Sequence, residues 1–381
     1  MNYFLTEEQK EIKEIARKVA EEKIKPVRAK HDEDNSFPYE TVKVMAQTDL
    51  FAILIPEEYD GFSGKVMDLA LVTEELSRVC GGIGLAFGGT GLGIYPVMIS
   101  GSKAQKQKYL PKVANGKLLA AFALTEPNAG SDAGAIETTA KKEGDYYILN
   151  GTKQWITNGG EADIYTVFAM TNKSKGARGA SCFIVEKDME GFSAGKKEDK
   201  MGIRGSATRE LIFDECKVPK ENLVGREGMG FMIAMKTFDK SRPMVAAQAV
   251  GIAQGAYEEA VKYAKERKQF GKPISSFQAI QFKLADMATQ IEAARSLVYN
   301  TARTIDSGEK KFSKESAMCK VFASDVAMNV TTEAVQVLGG YGYMKEYPVE
   351  KMMRDAKITQ IYEGTNEIQR SIIASNLLKE F

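Results

Sequence analysis

The hydrophobic pattern of this chain changes period twice, and that change constrains the fold more than any other feature. Residues 1 to about 118 repeat apolar side chains at helical spacing, from about 119 to 226 the period is two, and after 228 it is helical again. We therefore predict a mostly α, α+β protein. Its domains would be an N-terminal helical domain (1–118), a central antiparallel β domain (119–226) and a C-terminal four-helix bundle (227–381).

The breaks between the N-terminal helices are predicted at prolines and glycines. Helices are expected over 6–24, 39–49, 67–79 and 103–114, and Thr6 and Gln9 have capping-box spacing. The glycine-rich run "GGIGLAFGGTGLG" (81–93) is interpreted as a turn that lines a pocket. Its Gly-x-Gly at 91–93 could suggest a dinucleotide fingerprint, but that motif needs a preceding strand, whereas a helix precedes this one.

The β region and the bundle have their own turn signals. "DYYILNGTKQWIT" (145–157) predicts a hairpin turning at Asn150-Gly151, and "DIYTVFAM", "ASCFIVEKD" and "RELIFDECKV" predict further strands. After Gly228 we expect one long helix, kinked at Pro243 and ended by Gly271. Three more helices are expected over 277–306, 313–337 and about 366–380.

Composition excludes several classes of protein. Of 381 residues, 52 are Lys or Arg and 51 are Asp or Glu, so no net charge favours nucleic acid or an anionic membrane. No run of about 18 apolar residues is apparent, and the acidic amino terminus does not resemble a targeting signal. Four scattered cysteines lack metal-site spacing; they predict no metal and fit a reducing cytoplasm.

The single histidine limits the chemistry. His31 lies in "AKHDEDNSFPYE", which we interpret as a polar loop, and any histidine-based triad or metal site would have to be built on it. Proton transfer should therefore fall to carboxylates, lysines, tyrosines or a cofactor.

Glu363, in "QIYEGTNEIQR" (360–370), is the main candidate. Gly364 interrupts the pattern, and Thr365 or Asn366 would cap the last helix. A carboxylate near a helix amino terminus is stabilised there and its pKa lowered, which is a purely structural interpretation. A base beside a pocket would instead have its pKa raised by burial above about 4.3. These residues alone leave both interpretations open.

Four further stretches also allow two interpretations. "LTEPNAGSD" (124–132) is a polar turn, "QWIT" (154–157) holds the only tryptophan, "ERKQFG" (266–271) ends a helix, and "QVLGGYGY" (336–343) ends another. Each can be structural, as turn, core residue, cap or helix stop. Each could equally contact an anion or a planar ring.

Together with "KMGIRGSATREL" and "FDKSRPMVAA", these stretches resemble the acyl-CoA dehydrogenase family, in the family's order and over nearly the whole chain. The resemblance implies helices, an orthogonal β domain and a four-helix bundle. It also implies a homotetramer with one FAD per subunit, an acyl-CoA substrate, and an electron-transferring flavoprotein as acceptor.

The resemblance also implies roles for particular residues. The flavin would contact Phe122, Leu124, Thr125, Ser131, Trp155 and Thr157. A neighbouring subunit's FAD would be reached by Arg267, Phe270, Gln278, Gln336, Gly339 and Gly340. The adenosine side would be held by Thr365 and Glu367. The coenzyme A channel would involve Ser131, Asp239 and Arg242, with Gly364 beside the thioester. Glu363 would remove the α proton while the β hydride passes to the flavin.

The acyl group is less determined. Some branches of the family place the glutamate where this chain has Ser241, so the pattern resembles the short-chain, medium-chain and cyclic-acyl branches. Gly88 and Gly89 are expected to enlarge the acyl pocket for a branched or cyclic group such as cyclohexanecarbonyl. No arginine lies between Arg78 and Pro111, which argues against a glutaryl group. Two alternatives remain: an oxygen-using oxidase or monooxygenase of this fold, and a non-catalytic flavoprotein subunit of an electron-transfer complex.

Overall fold

A computed structural model describes residues 3–380 and contains a central sheet between two helical regions, which confirms the predicted fold class. The helices of the described part are α1 Glu7–Val19, α2 Arg28–Glu33, α3 Tyr39–Gln47, α4 Val66–Val79, α5 Gly81–Ser100, α6 Lys103–Ala114, α7 Gly230–Glu266, α8 Gln278–Asp306, α9 Ser313–Leu338, α10 Val349–Ile358 and α11 Asn366–Glu380. The strands are β1 Ala120–Ala123, β2 Thr139–Glu143, β3 Tyr146–Thr157, β4 Ile164–Met170, β5 Ala180–Glu186, β6 Phe192–Lys197, β7 Thr208–Pro219, β8 Leu223–Val224, β9 Lys268–Gln269 and β10 Lys272–Pro273.

The central sheet has the order β6-β7-β3-β2-β4-β5-β8, with β1 added beside β4. Most neighbours are antiparallel, as predicted. Two pairs differ, since β1 and β2 each run parallel to β4. Parallel strands need a long connection, and the chain between β1 and β4 includes β2 and β3.

The hairpin predicted at Asn150-Gly151 is wrong. β3 runs through both residues, and its pairing with β7 shifts between Leu149 and Gly151, so the dipeptide forms a bulge. Gly151 has a φ of 145°, and a Cβ there would lie 2.6 Å from Thr138 Oγ1. The glycine therefore allows a neighbouring segment to approach closely rather than turning the chain.

The turn predicted over 81–93 is also wrong, because these residues form most of helix α5. A Cβ on Gly93 would lie 2.4 Å from the backbone nitrogen of Ala121, so the glycine lets α5 lie directly on β1. By length and composition α5 could cross a membrane, so the prediction that no apolar run is long enough to do so is wrong. In the fold, however, 78% of its apolar window is buried inside the protein. Its glycines serve close packing within the core.

Three smaller predictions concern the capping box of α1, the position of His31 and the end of α7. The Thr6–Gln9 capping box is present, with Thr6 Oγ1 accepting from the Gln9 N–H at 3.1 Å. His31 lies in α2 rather than in a loop. α7 includes Pro243 but ends at Glu266; Gly271 instead turns the short β9–β10 hairpin with a φ of 79°.

The C-terminal region packs α7, α8, α9 and α11 together, with the unpredicted α10 against α7 and α9. α4 is buried along its whole length and packs on α7.

Helix α10 also joins the three regions. Asp355 accepts from the Ile203 N–H at 2.5 Å and pairs with Lys351, and Arg354 contacts Asp32 at 2.6 Å.

Candidate active site

A cavity of about 130 Å³ lies where α4, α5, α7, the end of β1, the end of β3 and the segment before α11 meet. Its wall is mostly apolar and includes Phe122 and Phe238, with Thr125 and Thr157 as polar members. Glu363 is the one carboxylate on this wall among the described residues. The cavity thus combines an apolar surface with a single acid, the arrangement expected of a binding site for a largely apolar group.

Glu363 lies in a left-handed turn between α10 and α11. Its φ is 53° and that of Gly364 is 93°. The turn is fixed through its carbonyls: Gln369 Nε2 donates to Glu363 O at 3.1 Å and to Gly364 O at 2.9 Å. A non-glycine residue at positive φ is strained, and such strain persists only where surrounding contacts impose it.

The Glu363 carboxylate is not an ordinary surface acid. Ser241 Oγ, on α7, donates a hydrogen bond to Glu363 Oε2. Burial raises the pKa of Glu363 to about 7, although the Ser241 hydrogen bond and the charges of Arg242 and Lys320 act to lower it. The capping role belongs to Thr365, whose Oγ1 accepts from the Ile368 N–H at 3.4 Å. The geometry therefore favours a base over a helix cap.

Sequence reasoning missed two groups around this turn. Lys320 on α9 is fully buried and donates to Gly364 O at 2.9 Å. Tyr362 donates to Gln248 Oε1, and Gln248 Nε2 donates to Gly81 O at 3.1 Å. A lysine at a position where the helical period of α9 predicts burial was the available signal for Lys320.

Five of the six predicted flavin-contacting residues lie on the cavity wall. Phe122, Leu124, Thr125, Trp155 and Thr157 all line it. Ser131 is exposed and lies outside the lining.

Trp155 is not a core residue. It has a φ of 56°, and 58% of its surface is exposed.

The two glycines predicted to enlarge the acyl pocket differ. A Cβ on Gly88 would meet only Leu85 Cδ2, at 3.9 Å, so its missing side chain leaves room. A Cβ on Gly89 would lie 2.8 Å from Thr157 Cγ2. The prediction of extra volume is therefore wrong for Gly89, whose small size lets α5 pack against β3.

Two of the three proposed coenzyme A residues, Asp239 and Arg242, lie beside Glu363, whereas Ser131 does not line the cavity. Arg242 Nε approaches Glu363 O at 3.5 Å, and Arg242 Nη1 pairs with Asp239 Oδ1 at 2.8 Å. Ser313 Oγ also donates to Asp239. Arg242 is buried and Asp239 half-buried, so this pair forms a fixed charged element next to the cavity.

The remaining predicted residues do not join this cavity. Arg267, Gly339 and Gly340 line a separate surface cleft of about 540 Å³, where the Arg267 guanidinium lies 5.3 Å from the centre of the Tyr341 ring. The other members of this set are exposed: Phe270, Gln278 and Gln336. Thr365 is half-buried and Glu367 exposed at the start of α11. The role of this second set at another subunit's cofactor stays a prediction.

Three family descriptions match consecutive parts of the chain: acyl-CoA dehydrogenase N-terminal domain over residues 6–117, middle domain over 121–216, and C-terminal domain over 228–378. The chain belongs to the acyl-CoA dehydrogenase family. This family comprises FAD-dependent oxidoreductases that act on CH–CH groups. A short-chain-specific acyl-CoA dehydrogenase from Clostridium acetobutylicum is 49% identical over 380 residues, covering 100% of both chains.

Solved structures agree with this assignment. Butyryl-CoA dehydrogenase from Megasphaera elsdenii superimposes with a TM-score of 0.96 at 49% identity, covering 99% of this acyl-CoA dehydrogenase and 100% of the other chain. A chain from work on the electron transferring flavoprotein of Acidaminococcus fermentans gives a TM-score of 0.97 at 53% identity, with 100% of both chains covered.

Three residues of the cavity wall fit the family's FAD. Among residues 3–380, no hydrogen bond uses the side-chain hydroxyl of Thr125 or Thr157, so both are available to the polar edge of a flavin ring. The exposed Trp155 indole offers a planar surface beside them. The same described part contains no group of three or more His, Cys, Asp or Glu that could hold a metal ion.

Proposed function

We propose that this acyl-CoA dehydrogenase converts an acyl-CoA thioester to the 2-enoyl-CoA, with Glu363 as the base that removes the α proton. The supporting observation is the position of Glu363: within residues 3–380 it is the one carboxylate on the apolar cavity wall, and burial raises its pKa to about 7. A base of that pKa is ionised in a useful fraction at neutral pH and still binds a proton firmly. No histidine is needed for this step.

Groups on the chain account for binding and orientation. Bound FAD would supply the acceptor for the hydride that leaves the substrate's β carbon. Trp155, Thr125 and Thr157 would hold its ring. The Glu363 N–H donates to no group within residues 3–380 and is therefore available to the thioester oxygen, where it would stabilise negative charge that develops during proton removal.

We further propose short- or medium-chain acyl groups, including branched or cyclic ones, as substrates. The relatives described as short-chain specific and as butyryl-CoA dehydrogenase support the short chain. The open space at Gly88 supports a branch or ring, such as cyclohexanecarbonyl, because a Cβ there has nothing nearer than 3.9 Å. A pocket of this kind discriminates by only about 1–3 kcal/mol per methylene.

The test is anaerobic titration of wild type and Glu363→Gln with butyryl-CoA, octanoyl-CoA and cyclohexanecarbonyl-CoA. Bleaching of the flavin band near 450 nm reports the redox step. We expect the variant to keep bound FAD and to bleach at least about 100-fold more slowly, since positioned bases contribute roughly 10²–10⁴ in rate. The exposed Glu346, changed to Gln, is the matched control and should behave as wild type.

Each alternative predicts a different result. Wild-type protein that no acyl-CoA bleaches would favour the non-catalytic flavoprotein subunit. Rapid reoxidation of reduced, product-bound protein by air would favour the oxidase or monooxygenase. Rapid bleaching of Glu363→Gln would contradict the role of Glu363. Equal rates with the cyclic and straight-chain substrates, or a preference for the straight chain, would contradict the cyclic specificity.

We also propose an electron-transferring flavoprotein as acceptor and a homotetrameric assembly in the cytoplasm. The structural relative from work on such a flavoprotein supports the acceptor. The exposed Phe270 and Tyr343 near the second cleft support burial against another subunit, and four free buried cysteines suit a reducing compartment.

A further inference from the structure

Lys320 is a buried lysine that has no carboxylate partner in the part of the chain that the structure describes. It is 0% exposed on α9, and no ion pair within the described residues includes it. Its Nζ instead donates to Gly364 O at 2.9 Å and to Asn366 Oδ1 at 3.0 Å. Lysines are almost never fully buried unless paired, because the desolvation of an ammonium is costly. The position of Lys320 therefore calls for a reason other than stability.

The helix dipole makes the placement more unusual. Asn366 is the first residue of α11, so the Lys320 ammonium lies at the positive end of that helix. A cation there is unfavourable by a few tenths to about 1 kcal/mol. Burial and dipole both act against this charge.

What Lys320 contacts is the Glu363–Gly364 turn. The two carbonyls of this turn accept hydrogen bonds from three helices, through Lys320 of α9, Arg242 of α7 and Gln369 of α11. Gln369 Nε2 donates to both carbonyls as a neutral group, whereas Lys320 adds a charge. Removing Lys320 would leave neither of its acceptors orphaned, since Gly364 O keeps Gln369 and Asn366 Oδ1 keeps Ser324 Oγ at 3.2 Å.

Several charged and titratable groups face Lys320 and Glu363. They come from α7, α9, α11, α5 and the turn itself: Asp239, Arg242, Asp325, Glu367, Tyr95 and Tyr362. Burial lowers the pKa of Lys320 to about 7, and its charge acts to lower the pKa of Glu363. Lys320 is thus charged mainly below about pH 7 and neutral above it, but it can donate both hydrogen bonds in either state.

We propose that Lys320 is a positioning residue for the base: it fixes the Glu363–Gly364 turn and favours the ionised form of the Glu363 carboxylate. This inference rests on the proposed role of Glu363 as base. Lys320 does not line the cavity and would therefore act only through the turn and its charge.

The test compares two variants of the FAD-loaded enzyme. Lys320→Gln keeps a neutral donor, and Lys320→Met keeps the length without a donor. In both, the acidic limb of the kcat–pH profile should move to higher pH, with about a three- to tenfold loss of kcat at pH 6. Lys320→Met should also lose kcat at pH 9, where Lys320→Gln loses less. Gln369→Met, which removes only a neutral donor, should lower kcat at all pH values without moving the limb.

A second measurement separates this inference from the proposed function. Infrared difference spectra of ¹³C-glutamate-labelled wild type minus Glu363→Gln report carboxyl protonation directly, whatever the residue does in turnover. The same difference spectra, recorded over a range of pH in the Lys320→Gln background, should show that Glu363 becomes protonated at a higher pH than in wild type. Unshifted protonation, or an equal shift in Gln369→Met, would overturn the role of Lys320. Full activity of Glu363→Gln with a shifted titration would overturn the proposed base and leave the charge effect standing.

Discussion

At the scale of single residues, the sequence located the acid but not its surroundings. Glu363 could be singled out because it lies between a tyrosine and a glycine just before a helix start. Ser241 and Lys320, which both act to lower the pKa of Glu363 against the effect of burial, are separated from it by 122 and 43 positions and approach its turn only through helix packing. Local spacing cannot reveal such contacts because no periodicity links residues on different helices.

The raised pKa of Glu363 has a consequence for stability that is independent of catalysis. The folded pKa is about 7 against an ordinary value of 4.5, so the folded protein holds this proton more tightly than the unfolded chain. That contribution is complete below about pH 4.5 and is lost as the pH rises through 7. We expect Glu363→Gln to be more stable than wild type at pH 8 by up to about 2–3 kcal/mol and equal at pH 4.

Denaturant unfolding at the two pH values measures this difference. An equal gain at both would mean that packing, rather than ionisation of a buried carboxyl, distinguishes the variant.

At the scale of elements, α5 is the clearest failure of sequence reasoning. Its glycines were interpreted as turn signals, since glycine weakens an isolated helix. In the fold, tertiary packing overrides that preference, because β1 lies too close for any side chain at Gly93. The long helices α7, α8 and α9 were predicted well because their apolar period is sustained over many turns.

Two glycines of α5 provide a matched pair for testing this explanation. Gly93→Ala would place a Cβ 2.4 Å from the Ala121 nitrogen, so we expect a loss of about 1–3 kcal/mol or more. Gly88→Ala meets open space and should gain about 0.5–1 kcal/mol from helix propensity. Thermal unfolding of both variants provides the comparison, and similar melting temperatures would show that packing on β1 does not explain the glycines.

At the scale of the whole molecule, the unpredicted helix α10 connects the three regions. Its Asp355 is buried, pairs with Lys351 at 2.5 Å and receives the Ile203 N–H from the β region, while Arg354 contacts Asp32 of α2. The sequence indicated three regions but not this connection, since a ten-residue helix with a mixed polar pattern resembles a surface segment.

We therefore expect Asp355→Asn to destabilise the protein by about 3–5 kcal/mol, because Lys351 would be left buried without its partner. Asp145→Asn, which removes the exposed pair with Lys220, is the control and should leave the melting temperature unchanged. Calorimetry measures both. A small effect for Asp355→Asn would mean that the regions are joined chiefly by apolar contacts.

The apolar character of α5 also affects how the chain is made. Helix α7, which packs on α5, begins at Gly230, 130 residues after α5 ends at Ser100. At a synthesis rate of roughly 5–20 residues per second, α7 is therefore made on the order of ten seconds after α5. During that interval an emerging segment long and apolar enough to enter a bilayer has no completed core to join. Newborn chains should accordingly depend on chaperones until translation has passed the first bundle helix.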